Sequence, residues 1–162
     1  MKPHWNIDEI KNLNYITPEN PTRGFNYIDI EDSDRYKRVI AHLHIGLSSS
    51  FDEKLFDEEF SWLKHKSYAI SKMKPGDILP YHYDKYAYYT KTYNVEIDDV
   101  HRVIVFLEDW KPGHFLQFLH KGIVNWSAGD WETWQGSTVH SAGNFGHEDR
   151  YILQITGIKN DI

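Results

Sequence analysis

Four side chains in this sequence could do chemistry together: His82, Asp84, His140 and Arg150. The first two stand in Tyr81-His82-Tyr83-Asp84, the others in the stretch from Ser137 to Arg150. In an extended strand, residues two apart point to the same face, so His82 and Asp84 would present an imidazole and a carboxylate side by side. Adding His140 gives two histidines and one carboxylate, a facial set of ligands that suits Fe(II) and leaves positions on the metal open. Arg150 adds a planar fork able to bind both oxygens of a carboxylate. For each residue alone the plain alternative is structural: two satisfied core histidines, an aspartate capping a turn, and an arginine paired with Asp149 or Glu148 at a surface hairpin end.

The elements around these residues read as short strands. Tyr68 to Met73 leads through a Pro75-Gly76-Asp77 turn to a strand from Ile78 to Asp84 that carries the first pair. Arg102 to Leu107 is strongly apolar, and turns rich in Gly, Pro and Asp then separate Phe115 to Leu119, Ile123 to Trp126 and Trp131 to Gln135. His140 is expected at the end of a strand, with a glycine-rich turn after it and Arg150 opening the next apolar run. In that run Arg150, Ile152, Gln154 and Thr156 share one face, and Tyr151, Leu153 and Ile155 the other. Such a hairpin would bring Arg150 back alongside His140. Many short strands with close-spaced turns predict a sandwich or jelly roll.

Earlier in the chain, residues 1–35 are polar and punctuated by proline, and are expected to wrap the domain with short strands. Tyr36 to Gly46 reads as a strand with Val39, Ala41, Leu43 and Ile45 on one face and exposed His42 and His44 on the other. Ser50-Phe51-Asp52-Glu53 reads as a capping box opening an amphipathic support helix with Phe56, Phe60 and Leu63 on its apolar stripe and Leu55 beside them. Lys64, His65 and Lys66 would close that helix. Residues 85–100, rich in tyrosine, read either as a lid over a site or as a hairpin with exposed tyrosines. His114, His120 and His147 read as solvated loop residues. Trp134, Gln117 and the tyrosines near His82 are candidate cavity walls.

Composition bounds the rest. At 162 residues, 40% hydrophobic and 15% aromatic, the chain predicts one folded domain over 1–162, made of a wrapping segment 1–35, a strand and helix 36–66 and a β core 67–158. The formal net charge of −6 disfavours an extended nucleic-acid interface. Cysteine is absent, which removes disulfides, thiolate ligands and cysteine nucleophiles. No apolar run approaches membrane-spanning length, so no membrane partner and a cytoplasmic location are expected.

The ordered set His82-x-Asp84, His140 and Arg150 resembles the Fe(II)/2-oxoglutarate-dependent oxygenase superfamily, over about Met73 to Ile158. That family commonly places a basic residue about ten positions after the distal histidine. The resemblance implies a mainly β double-stranded β-helix, jelly roll and cupin-like, with the helix in its N-terminal half as support. It implies His82, Asp84 and His140 as metal ligands and catalytic centre, and Arg150 as the holder of 2-oxoglutarate. Implied cofactors are Fe(II), 2-oxoglutarate as cosubstrate and O2, with ascorbate a further candidate. The implied reaction hydroxylates a protein side chain or a small molecule and yields succinate and CO2. A faint similarity to hydroxylases of protein side chains lies in Trp126, Gly129-Asp130 and the His140 to Arg150 spacing. One departure is that many members carry Arg-x-Ser where this chain has Ile152, so the assisting hydroxyl must come from elsewhere. Rival readings are a cupin-like metal-binding barrel without oxygenase activity, of sugar-binding or isomerase type, and a protein-interaction domain.

Overall fold

The computed structural model describes residues 1–17 and 42–160, with the backbone of Phe25–Tyr27. Its elements in chain order are α1 (Ile7–Lys11), β1 (Phe25–Tyr27), β2 (His42–Ile45), α2 (Glu53–Glu59), β3 (Leu63–Met73), β4 (Ile78–Asp84), α3 (Ala87–Tyr93), a single 3-10 turn (Ile97–Asp99), β5 (Val100–Phe106), β6 (His114–Phe118), β7 (Lys121–Ile123), β8 (Trp131–Gln135), β9 (His140–Asn144) and β10 (Arg150–Lys159). The strands form two five-stranded sheets, in the orders β1-β4-β9-β6-β7 and β2-β3-β10-β5-β8. All pairings are antiparallel. From β3 onward the chain crosses between the sheets at every step except the β6–β7 hairpin, so most neighbours in a sheet are distant in sequence. This is the expected mainly β double-stranded β-helix.

Period-two alternation builds the core. On β10, Tyr151, Leu153 and Ile155 face one way, and on β5 Val103 and Val105 join them in a cluster closed by Phe56 and Phe60 of the α2 region. Ile152, Ile104 and Phe106 face the other way and meet Leu116 and Ala142 of the second sheet. The β10 sheet is thus buried on both faces, and its inner face is the roof of the space between the sheets. Burying Phe56 and Phe60 completely ties the support helix to that sheet; each such side chain is worth about 1.5–3 kcal/mol of transfer free energy.

Local readings differ from the structure at several points. The N-cap of α2 is Asp52, whose carboxylate accepts from Lys54 N–H at 3.1 Å, while Ser50 bonds to Ser48. Both residues are good caps; Asp52 takes the extended cap position, and the Ser50 hydroxyl is engaged with Ser48. The helix ends at Glu59, so Leu63 to Lys66 belong to β3 and Lys64, His65 and Lys66 close no helix. Leu55 is exposed. Of the wrapping segment, residues 7–11 form a short helix capped by Asn6, while Phe25–Tyr27 is a short strand, as expected, paired to β4; Pro18, Pro21, Gly24 and Tyr36 to Ala41 lie outside the described residues. His42 is buried, with Nδ1 2.8 Å from Thr17 Oγ1 and Nε2 3.5 Å from Asp77, whereas Ile45 is exposed. His114 is buried on β6, its Nε2 3.0 Å from the Glu148 carbonyl, and is no loop residue.

Residues 85–100 form α3 and the 3-10 turn rather than a hairpin. Tyr89 is buried, its hydroxyl within 3.0 Å of His65 O, Thr156 O and Ser67 Oγ, so α3 is pinned across the ends of β3 and β10. Tyr88 beside it is 66% exposed. His140 opens β9 rather than ending a strand, and Ala142-Gly143-Asn144 lie inside that strand, not in a turn. Gly143 lets the Phe115 ring of the neighbouring strand lie close over it: a Cβ there would stand 2.5 Å from the ring, which would have to shift. β9 and β10 fall in opposite sheets, so Arg150 approaches His140 across the sandwich, not along a hairpin.

Candidate metal centre

β4 and β9 pair so that His82 and His140 are directly opposite. Cross-strand partners lie about 4.5–5.5 Å apart at Cβ, and here the two rings stand 4.4 Å apart between centroids. Asp84, two residues beyond His82, falls on the same inward face as the alternation requires. The three side chains are buried, and one ligand atom from each lies within 4.8 Å of the others. His82 Nε2 is 3.7 Å from Asp84 Oδ1. The group could hold a metal ion.

The same device orients both histidines. His82 Nδ1 lies 2.6 Å from the Pro80 carbonyl and His140 Nδ1 2.9 Å from the Thr138 carbonyl, each two residues upstream. A carbonyl can only accept, so Nδ1 carries the proton and Nε2 is the ligating nitrogen of each ring. Burial lowers both pKa values, that of His140 to about 4 with the nearby His82 as second cause, which keeps the imidazoles neutral at pH 7. Burial alone would raise the Asp84 carboxyl, but Arg102 above all outweighs it and holds it below its ordinary value. Two neutral imidazoles and an ionised carboxylate are the protonation states that ligation needs.

Arg102 and Tyr86 complete this end. Asp84 Oδ2 accepts from Arg102 Nη2 at 3.0 Å and from the Tyr86 hydroxyl at 2.8 Å. Neither was singled out in the sequence, although Arg102 shares the inward alternation of Ile104 and Phe106, where a charge is out of place, and Tyr86 continues the spacing of His82 and Asp84.

From the metal end a cavity of about 180 Å³ runs between the sheets, walled by Leu79, Ile104, Leu116 and Ile152, with Arg150 also lining it. Arg150 is 2% exposed. Its Nη1 meets the Met73 sulfur at 3.1 Å and its guanidinium lies 5.6 Å over the Trp126 ring. Nε and Nη2 have no partner among the described residues. Burial alone lowers its pKa, to about 10, so it stays charged at neutral pH. Asp149 and Glu148, the expected surface partners, are bound instead to Lys72 at 2.8 Å and Lys111 at 2.7 Å. The surface-pair alternative is therefore removed.

Two further donors face the same space. Ser71 is buried in the cavity wall on β3, directly opposite Ile152. Trp134, one of the expected wall residues, lines the cavity with its ring 4.7 Å from that of His140 and its Nε1 without a partner among the described residues. Gln117 is exposed and lies outside the cavity, and Tyr81 and Tyr83 do not line it, because alternation turns them away from the face of His82.

No protein-family model matches the chain, and no curated protein sequence matches it. Solved structures of similar fold include a predicted oxalate decarboxylase of Thermotoga maritima (13% identity, 91% of this chain and 95% of that one, TM-score 0.49). Others are a cupin domain from Bordetella pertussis (12%, 74% and 94%, 0.45) and a cupin 2 conserved barrel protein from Salinispora arenicola (10%, 82% and 90%, 0.43). The similarity concerns the fold, that of cupins and double-stranded β-helix proteins. Among the described residues no helix is long and apolar enough to cross a membrane.

Proposed function

We propose that this protein is an Fe(II)- and 2-oxoglutarate-dependent dioxygenase that hydroxylates a protein side chain or a small molecule. The observation that carries the reading is Arg150: a buried guanidinium with two donor nitrogens unsatisfied, in the cavity that also holds the His82, Asp84 and His140 cluster. An uncompensated buried charge is costly, and an anionic ligand with a carboxylate would offset it.

His82 and His140 through Nε2, and Asp84 through its carboxylate, would hold Fe(II); the ligand set contains no thiolate and fits a borderline ion. When bound, Fe(II) with 2-oxoglutarate and O2 supplies oxidative decarboxylation to succinate and CO2 coupled to hydroxylation of a substrate C–H bond. The chain's own part is placement. Arg150 would bind the distal carboxylate of the cosubstrate through its fork. Ser71, on the strand beside Ile152, would donate the hydroxyl that the sequence lacks at position 152. Leu79, Ile104 and Leu116 keep that space apolar, which strengthens each of these charged contacts by excluding water. Anaerobic titration with Fe(II) and 2-oxoglutarate, followed by succinate detection against peptide, amino-acid and nucleotide pools, tests the reading. Stoichiometric binding of both and substrate-dependent succinate are expected. Metal binding without 2-oxoglutarate binding would replace the oxygenase with a metal-binding barrel.

A further inference from the structure

Arg102 uses its three guanidinium nitrogens in three directions. Nη2 donates to Asp84 Oδ2 at 3.0 Å, Nε to the Tyr86 hydroxyl oxygen at 3.2 Å and Nη1 to Gln154 Oε1 at 3.2 Å. Those partners come from β4 in the opposite sheet, from the residue before α3, and from β10, the neighbour of β5 in its own sheet. The guanidinium also lies 5.2 Å over the Tyr86 ring. Tyr86 in turn sits at φ 45°, ψ 32°, a left-handed conformation that a bulky residue takes only when its surroundings hold it there. Its hydroxyl donates to the same Asp84 Oδ2 at 2.8 Å.

The result is asymmetric. One oxygen of the candidate ligand carboxylate carries two donors, while the other, Oδ1, is the one turned to His82. A carboxylate with both oxygens available can chelate an ion and occupy two of its positions. With Oδ2 saturated, only Oδ1 remains to ligate.

We propose that Arg102, supported by Tyr86 and Gln154, is a positioning residue that restricts Asp84 to one ligating oxygen and so keeps a coordination position of the metal open. The proposal rests on the metal reading given above. Lysine could not substitute fully, because a point charge cannot reach three acceptors in three directions as the planar fork does. Arg102 also cancels the Asp84 charge within the cavity, so a divalent ion there keeps its charge for an anionic ligand.

Water-proton relaxation by bound Mn(II) tests this without cosubstrate or turnover, since relaxivity follows the number of waters on the ion. Wild-type protein and Arg102→Gln are compared at saturating metal, with His82→Ala as the check on the metal site and circular dichroism as the check on folding. Closing one of three open positions lowers the inner-sphere relaxivity of Arg102→Gln by about a third, and the Co(II) d–d spectrum shifts with it. The double variant Tyr86→Phe with Arg102→Lys keeps the buried charge, so it decides the matter if Arg102→Gln does not fold; its relaxivity falls as well. Wild-type relaxivity and an unchanged Co(II) spectrum in a folded variant, with His82→Ala unable to bind, would overturn the role of Arg102 alone. Failure of wild-type protein to bind Mn(II), or binding by His82→Ala as tight as wild type, would overturn the metal reading and this proposal with it.

Discussion

The cavity is lined by two arginines on neighbouring strands, Arg102 half-buried and Arg150 buried, and they are provided for in opposite ways. On β5, Arg102 finds a protein acceptor for each of its three nitrogens. Burial opposes its charge, but Tyr86 and Asp84 outweigh burial and raise its pKa. On β10, Arg150 has among the described residues only a sulfur and an aromatic face for company, and burial lowers its pKa unopposed. Burying an unpaired charge costs several kcal/mol after relaxation. The chain accounts for Arg102 by itself. Arg150 is accounted for only by something the chain binds, which is why the unsatisfied arginine, and not the complete one, carries the functional reading.

The contrast depends on Asp84, held by Arg102, being a metal ligand, and that is where it breaks most visibly. His82→Ala and His140→Ala should each weaken Mn(II) or Co(II) binding, measured by calorimetry, by more than the roughly 100-fold that loss of an outer-shell partner can cost. His44→Ala should leave it unchanged. His42→Ala should also leave it unchanged but lower the melting temperature, because that ring is buried and bonded to Thr17. Wild-type affinity in either of the first two variants would detach Arg102 from any metal.

Protons probe the same end. The folded pKa of His140, about 4, lies below its ordinary 6.5, so its contribution to stability is whole above pH 6.5 and is lost as pH falls toward 4. There the unfolded chain takes up a proton that the native ring refuses. The metal-free protein should therefore lose on the order of 3 kcal/mol from this group over that range, and His140→Gln should flatten the curve in denaturant titrations at each pH. A curve equally steep in both proteins would place the proton uptake elsewhere.

At the Arg150 end, Ser71→Ala sharpens the comparison. A hydroxyl bonded to a carboxylate contributes about 1.5–3 kcal/mol, so 2-oxoglutarate binding should weaken roughly tenfold or more, with metal affinity unchanged. Unaltered cosubstrate affinity would leave Arg150 as sole anchor. The smallest effect belongs to the tyrosines of α3. Tyr88→Ala, at an exposed position, should shift stability by less than about 0.5 kcal/mol while reducing coupled hydroxylation if α3 meets substrate. Tyr89→Phe should cost about 1 kcal/mol through the hydroxyl that pins α3 to β3 and β10. Equal behaviour of the two variants in thermal melts would contradict their different burial.

Much of this was legible in the sequence because it depends on period-two alternation. The split of β10 into Ile152 and Gln154 inward and Leu153 and Ile155 outward is the one observed. So is the meeting of His82, Asp84 and His140. What was not legible depends on pairing between distant strands. Ser71 gains its meaning only from standing opposite Ile152, and Gly143 only from the Phe115 ring across the strand. The α3 segment misled because tyrosine-rich stretches favour strands or loops. Here tertiary anchoring through Tyr89, together with left-handed residues at Tyr86 and Asn94 on its flanks, overrides that preference. At α2 two good caps competed, and Asp52 holds the position while the Ser50 hydroxyl bonds to Ser48.

The most direct test of the central claim is calorimetric binding of 2-oxoglutarate to protein loaded with an inert divalent metal, comparing wild type with Arg150→Ala and Arg150→Lys. Truncating one member of a buried charge pair costs about 2–5 kcal/mol, so Arg150→Ala should bind roughly 30-fold to several thousand-fold more weakly. Arg150→Lys should fall between, keeping the charge and losing the fork, and metal affinity should be the same in all three. Equal 2-oxoglutarate affinity in wild type and Arg150→Ala would contradict the assignment.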